Sequence, residues 1–367
     1  MTRKISLDPS RRRPGFALTR WLAVGCALLA PALAAAQPFG SYTAWSGDGA
    51  TAAANGWLAV PDSPALNPGA AITLEGWFKL ATPFAAPQTG CRSLIGKDAT
   101  RGYWLGVCGA TVAASFAGAS LASSAGTVPA GQWTHIAVTW DGAVQTHYVN
   151  GEVAGSFPVS GALAANPAEL RIGSDVSWQW SPAGAATEVR LWNVARTIDQ
   201  IRATINVALT APQPGLVAVW NLAGSGDSLG ASGGAWSGAV TPVALAAAAP
   251  CVASAANALC LAARFAITAN WREVSGATGG GTVVAVPSTG SGLFWFFSPD
   301  NWEMMVKVID GCALNSAVWL FSAATTNVFY RMEVVDVSSG VTKIYFNYPG
   351  PPAPAVTDTA AFPASCP

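Results

Sequence analysis

Seven glutamates, at positions 75, 152, 169, 188, 273, 303 and 333, are isolated from one another along the chain. Cleaving a glycosidic bond takes two carboxylates roughly 5–10 Å apart. The simplest way to supply them, alternate acids on one strand, does not occur here. A distant pair could still meet in space. A Ser-His-Asp arrangement would have to use His135 or His147, the two histidines of the chain. His135 sits between Trp133 and Ala137 in an alternating run and reads as a packed, hydrogen-bonded histidine. His147, on the next run, reads as a solvated residue or a cross-strand partner. No phosphate-binding glycine loop or dinucleotide fingerprint is present. The catalytic set is therefore expected to be empty.

Aromatic side chains offer a different chemistry. Residues 173–182 read Gly-Ser-Asp-Val-Ser-Trp-Gln-Trp-Ser-Pro, a loop-like composition. Exposed Trp178 and Trp180 would stack on sugar rings, with Asp175 and Gln179 taking hydroxyls. The alternative is that one or both indoles fold back onto the protein. Tyr103 and Trp104 read as core or edge. At least half of the cluster Phe294, Trp295, Phe296, Phe297 and Trp302 must be core by strand alternation.

These residues have to be positioned by strands. Residues 72–79 (Ile-Thr-Leu-Glu-Gly-Trp-Phe-Lys) and 131–152 alternate polar and apolar side chains with the period of two of half-buried strands. Asp141-Gly142 and Asn150-Gly151 end two such runs on turn dipeptides. The composition has few charges, 38 Gly, 25 Pro and 16 Trp, and it predicts an all-β protein.

The order of these motifs resembles the laminin-G-like, or concanavalin-like, jelly-roll family over residues 43–225. The matching parts are the opening strand and turn around Val60-Pro61-Asp62-Ser63, the Thr73-x-Glu75-x-Trp77 strand and the Trp133-x-His135-x-Ala137-x-Thr139 strand ending at Asp141-Gly142. Further along come Tyr148-x-Asn150-Gly151, Leu170-Arg171-Ile172-Gly173, and Glu188-x-Arg190-x-Trp192-Asn193. The resemblance implies a β-sandwich that binds more often than it catalyses. It also implies that Ca²⁺ could sit near one rim, with Asp48, Asp98 and Asp175 as the acids in or beside loops. For each of these a solvated turn aspartate is the alternative.

The N-terminus reads as a secretory signal, residues 1–36. It has a basic n-region, an apolar stretch over 21–33, and Ala34-Ala35-Ala36 before Gln37. The apolar stretch is shorter than the ~20 residues a membrane span needs, so no membrane insertion is expected once it is removed, and the product is expected to be secreted or periplasmic. Residues 1–36 hold six of the nineteen basic residues and one of the nineteen acids, which leaves a net charge near −5. That argues against nucleic acid as a partner. Of seven cysteines, six remain after Cys26 leaves, an even count that suggests disulfides. Fifteen connectivities are open. Near-neighbour pairing within each domain gives Cys91–Cys108, Cys251–Cys260 and Cys312–Cys366.

No charge occurs between Asp227 and Arg264. The expected organisation is a jelly roll over 37–228, an Ala-rich linker over 229–250, and a second, smaller β-sandwich over 251–367. The last stretch resembles a C-terminal β module of secreted bacterial proteins with no assigned chemistry, through Leu259-Cys260-Leu261, residues 292–297, residues 303–312 and residues 358–362. The leading functional expectation is a non-catalytic binding or adhesion protein for a glycan or glycosylated surface. A structural or protein–protein module of the cell envelope is the alternative, and a glycan-active enzyme is the third reading.

Overall fold

A computed structural model describes residues 42–45, 56–81, 90–177, 181–222, 226–231, 233–238, 240–243, 247–253 and 256–366. All lie in one compact unit, Leu33–Pro367. Among the described residues the strands form four antiparallel sheets, and the protein is all-β in class.

The nine-stranded sheet orders Glu152–Pro158, Val144–Val149, Thr134–Trp140, Ile72–Leu80, Gly184–Trp192, Tyr42–Trp45 and Val240–Val243, with Leu216–Trp220 and Leu229–Gly230 branching beside Gly184–Trp192. The seven-stranded sheet orders Ala235–Ser237, Trp57–Val60, Leu170–Ile172, Cys91–Lys97, Tyr103–Cys108, Thr111–Phe116 and Ala122–Thr127. Alternate residues from both sheets fill the space between them. Leu74, Phe78, Ile136, Val138 and Trp140 come from one side, and Ile95, Leu105, Val112, Ala114 and Phe116 from the other. Phe116 and Trp140 stack at 5.7 Å, and the Trp140 Nε1–H donates to the Val159 carbonyl at 2.7 Å, so the largest ring enters the core with its polar atom satisfied.

Both Thr134–Trp140 and Ile72–Leu80 were expected to be half-buried. Instead, every residue of the first and all but Lys79 of the second are buried. The reason is a cover on the far face of the nine-stranded sheet. Part of it is the helix Ile198–Thr204, whose Thr197 Oγ1 caps the Gln200 N–H while the Gln200 side chain answers the Thr197 N–H. Ile201 of this helix packs on Ala137 and Tyr148.

The rest of the cover is a second sandwich. Its near sheet orders Leu259–Leu261, Phe265–Arg272, Phe329–Asp336 and Thr342–Asn347, with Thr278–Gly280 beside Phe265–Arg272. Its far sheet orders Thr282–Val284, Ser291–Trp295, Met304–Asp310, Val318–Ala324 and Val356–Phe362. A separate core holds Ile267, Phe294, Met304, Leu320, Met332 and Val334. One face of the near sheet meets the jelly roll. Phe346 stacks on Trp77 at 6.2 Å, the Arg202 guanidinium lies 3.8 Å over Tyr348, and Arg272 pairs with Glu152 at 2.5 Å. Tyr348 also presses on Gly151, where a Cβ would stand 2.3 Å from its hydroxyl oxygen. Gly151 has φ +76°, so the site needs glycine for both space and conformation.

Two expectations change here. Residues 229–250, expected as a linker, contribute three short strands to the jelly-roll sheets, with Val240–Val243 pairing along Tyr42–Trp45 and Ala235–Ser237 along Trp57–Val60. Their Ala- and Gly-rich composition gives a weak strand signal, but the open edges of both sheets have backbone donors and acceptors to satisfy. His147, expected as solvated or a cross-strand partner, is not solvated: it is fully buried beside Phe157, with Gln145 of its own strand at 3.3 Å and the Val112 backbone of the facing sheet as a partner. The three cysteine pairs form as expected: Cys91–Cys108, Cys251–Cys260 and Cys312–Cys366. Among the described residues no helix is long and apolar enough to cross a membrane.

Candidate functional site

Of the sequence-selected residues, Asp175 lies in the loop that follows Leu170–Ile172 and Asp98 in the turn that follows Cys91–Lys97. Asp48, Trp178, Gln179 and Trp180 lie outside the described residues. Asp98 and Asp175 are described, and the structure brings them together at the base of that loop. Ser177 joins them: its N–H donates to Asp175 Oδ1 at 2.8 Å and its Oγ to Asp98 Oδ1 at 2.8 Å. Asp175 also accepts from the Ala99 N–H at 3.2 and 3.3 Å. Asp98 accepts from Thr100 Oγ1 at 2.7 Å and from Arg101 Nε at 2.5 Å. Burial works against the charge on Asp98, but the bonds from Thr100, Ser177 and Arg101 outweigh it and hold its carboxyl below the usual carboxylate range. Gly96 is required beneath this knot, because a Cβ there would stand 2.4 Å from Asp175 Oδ2.

This arrangement corrects the role assigned to Asp175. Its side chain is fully buried and bonded to backbone N–H groups, so it shapes the loop and cannot take ligand hydroxyls. Nor does the pair fit calcium. N–H and O–H donors face both oxygens of each acid, where a cation would need bare lone pairs. Among the described residues no three His, Cys, Asp or Glu side chains gather as a metal set.

An oxygen cage does exist one residue away, and an ammonium fills it. Lys97 Nζ is fully buried and donates to Asp62 Oδ1 at 2.8 Å, to the Asn166 carbonyl at 2.7 Å and to the Ala168 carbonyl at 2.6 Å, with Asn166 Oδ1 at 3.3 Å. The hydrogen bond from Lys97 is the main reason the Asp62 carboxyl lies below its ordinary value. One carboxylate with amide oxygens is a hard-cation ligand set, here supplied with a cation from the chain itself. The ammonium ties the 62–67 turn and the 166–168 segment to the seven-stranded sheet.

The densest charge cluster lies on the covered face of the nine-stranded sheet. Glu75 Oε1 accepts from Trp192 Nε1 at 2.8 Å and Arg196 Nη1 at 2.7 Å, while Arg190 bridges toward Glu188 Oε2 at 3.0 Å. Burial opposes the Glu75 charge, and the Arg190 and Arg196 guanidinia reverse that and lower its pKa. For Glu188 burial wins and raises it. Two carboxylates with opposed shifts resemble an acid and base pair. They are 0% and 4% exposed, however, sealed under the helix and the 205–209 segment, where no substrate reaches. His135 lies beside them, its Nε2 3.6 Å from Glu75 Oε2. Its burial holds the ring neutral, with a pKa of about 4, and neither ring nitrogen has a hydrogen-bond partner, unlike the bonded histidine expected. A sequence signal for the cluster was available in Glu75 and in Glu188-x-Arg190, which are charges placed mid-strand among apolar neighbours.

Residues 51–202 match the family model for the concanavalin A-like lectin/glucanase superfamily. Similar solved structures include a Bacteroides ovatus protein proposed to bind carbohydrate, 19% identical with TM-score 0.45 over 56% of this chain and 61% of that one, so the chain spans less than two thirds of its length. Others are the heptameric SAP-like pentraxin of Limulus polyphemus (14%, TM-score 0.40, 56% of this chain and 95% of that one) and domains LG4-5 of the mouse laminin alpha1 chain (11%, TM-score 0.33, 89% and 81%). A search of curated proteins found no match.

Proposed function

We propose that the protein is an exported, non-catalytic binding module that docks on a glycan or glycosylated surface through the jelly-roll rim at residues 173–182. The observation that carries this reading is the Asp98–Ser177–Asp175 knot, which fixes the base of the segment bearing Trp178, Gln179 and Trp180. Buried, saturated hydrogen bonds at a loop base are what a preorganised contact surface needs. In this assignment Trp178 and Trp180 stack, Gln179 takes hydroxyls and Asp175 only positions. Three disulfides support export to an oxidising compartment. The burial of Glu75 and Glu188 supports the absence of catalysis.

The test is a broad glycan array probed with the chain from residue 37 onward, with and without EDTA, against a Trp178→Ala/Trp180→Ala double variant. The expected result is a specific signal, kept in EDTA and lost in the double variant. Equal signal from both proteins would refute the rim assignment. A second reading, a protein-binding module, is favoured by one observation. The second sandwich exposes Phe297, Trp302, Met305 and Ile309 at 44%, 52%, 43% and 39%. A blank array from folded protein would favour it.

A further inference from the structure

The two sandwiches do not meet along their whole faces. Where the 129–132 turn of the jelly roll approaches the near sheet, a groove of about 470 Å³ remains. A smaller one of about 320 Å³ continues on the other side of Arg272 and Phe329, which line both. The larger volume falls within the range of small-ligand sites. Its walls come from both sandwiches, so it exists only because they are docked.

The chemistry of the walls is specific. Arg272 and Arg331 both line the larger groove, and no carboxylate does. Their acidic partners, Glu152 and Glu333, stand outside that lining. Arg272 gives one Nη to Glu152 at 2.5 Å, and its Cζ lies 4.9 Å from the centroid of the Phe329 ring. Arg331 gives one Nη to Glu333 at 2.7 Å and to the Trp133 carbonyl at 3.4 Å, and its buried Nε–H has no partner. A guanidinium has five N–H donors in a fixed fork, so both retain donors beyond those bonds. The Trp271 Nε1–H, on the same wall, is also buried without a partner. Gln132, Asn270 and Thr278 are exposed around them.

We propose that this groove is a second binding site and that it takes an acidic saccharide, a short oligomer carrying a uronate carboxylate. Forked guanidinia match a carboxylate in plane and can grip it bidentately. Amide and hydroxyl side chains suit the ring hydroxyls, and the aromatic wall suits the ring's C–H face. A neutral sugar would leave the guanidinium donors unmatched. The inference rests on the reading that the ligand is a saccharide, but it uses different residues from the rim loop.

The test is titration calorimetry of the protein with trigalacturonate and with its methyl ester, which keeps the rings and removes the charge. The expected result is one site per chain, at least tenfold weaker binding of the ester, and affinity that falls with added salt. Arg272→Gln should weaken trigalacturonate binding at least tenfold. Should Arg272→Gln disturb the docking of the sandwiches, Gln132→Ala with Asn270→Ala, both on exposed residues, decides the matter by the same loss. Trp178→Ala/Trp180→Ala should leave the affinity unchanged. Equal affinity for acid and ester, no saturable uptake, or loss only in the tryptophan variant would overturn the proposal. An array signal that depends on the tryptophans, without trigalacturonate uptake, would overturn this site and leave the rim reading standing. Uptake with a blank rim would do the reverse.

Discussion

Lys343 is the residue whose removal should make the protein more stable. It lies on Thr342–Asn347 with its side chain 1% exposed, and its Nζ has no hydrogen-bond partner. The nearby Asp358 is engaged by the Tyr345 hydroxyl at 2.8 Å. Burial, only partly offset by Asp358, lowers the lysine pKa from 10.5 to about 8. At roughly 1.36 kcal/mol per pKa unit, that drop amounts to about 3 kcal/mol of destabilisation wherever the unfolded chain is protonated. Methionine fills a similar volume without the charge, so Lys343→Met is expected to raise unfolding free energy by about 3 kcal/mol at pH 7. The sign of the pH dependence follows from the depressed pKa. Below pH 8 both states are protonated and the penalty is complete. Between pH 8 and 10.5 only the unfolded state holds the proton, so wild-type stability climbs with pH and approaches that of the variant. Buried Tyr330, held up at about 12, and Tyr345 lose their protons more easily when unfolded, which lowers stability above pH 10 in both proteins and cancels in the comparison. Urea unfolding followed by tryptophan fluorescence from pH 7 to 10, with disulfides intact, measures the difference. A variant no more stable than wild type at pH 7, or a gap that does not close with pH, would refute the reasoning.

Three further outcomes are expected. His135 and His147 are held near pKa 4 by burial, so the unfolded chain takes up protons first as pH falls through 6.5. Denaturant unfolding at pH 7 and pH 4.5 should then show a loss of roughly 2 kcal/mol per histidine, reduced in His147→Met. Glu75→Ala leaves Arg190 and Arg196 buried without their shared acid and should cost about 3–5 kcal/mol, read as a lower midpoint in the same assay. Lys97→Met strips the donor from Asp62, Asn166 and Ala168 and should cost about 2–4 kcal/mol, whereas wild-type melting should be the same in calcium and in EDTA, checked by scanning calorimetry.

The strands that carry large apolar residues at a period of two were legible in the sequence, because burial of one face writes that period directly. Thr134–Trp140 and Ile72–Leu80 stand within a few residues of where alternation places them. Val356–Phe362 carries no such signal, since Val-Thr-Asp-Thr-Ala-Ala-Phe has too few large apolar residues to show a period. The seven-residue helix Ile198–Thr204 is too short for an amphipathic stripe, and its one local signature is the Thr197 and Gln200 capping box. Of the site, the loop was visible as composition but the task of Asp175 was not. Its partners Gly96 and Ala99 arrive from a strand and turn more than 70 residues earlier. The same distance hides the Glu75 cluster, whose donors stand 117 and 121 residues away.

The bond between Cys312 and Cys366 has a mechanical meaning. A pull applied to the chain beyond Cys366 passes through sulfur into Cys312 and never reaches the residues between them. Those 54 residues of separation, which at roughly 3.4 Å each would pay out ~180 Å of slack, stay locked while the disulfide is intact. They include Val318–Ala324, Phe329–Asp336, Thr342–Asn347 and Val356–Phe362, and so also the strand that rests Phe346 against Trp77. Tension therefore enters the second sandwich at the foot of Met304–Asp310. The strands that clasp the jelly roll through Arg331 and Phe346 are shielded from load by a single covalent shunt.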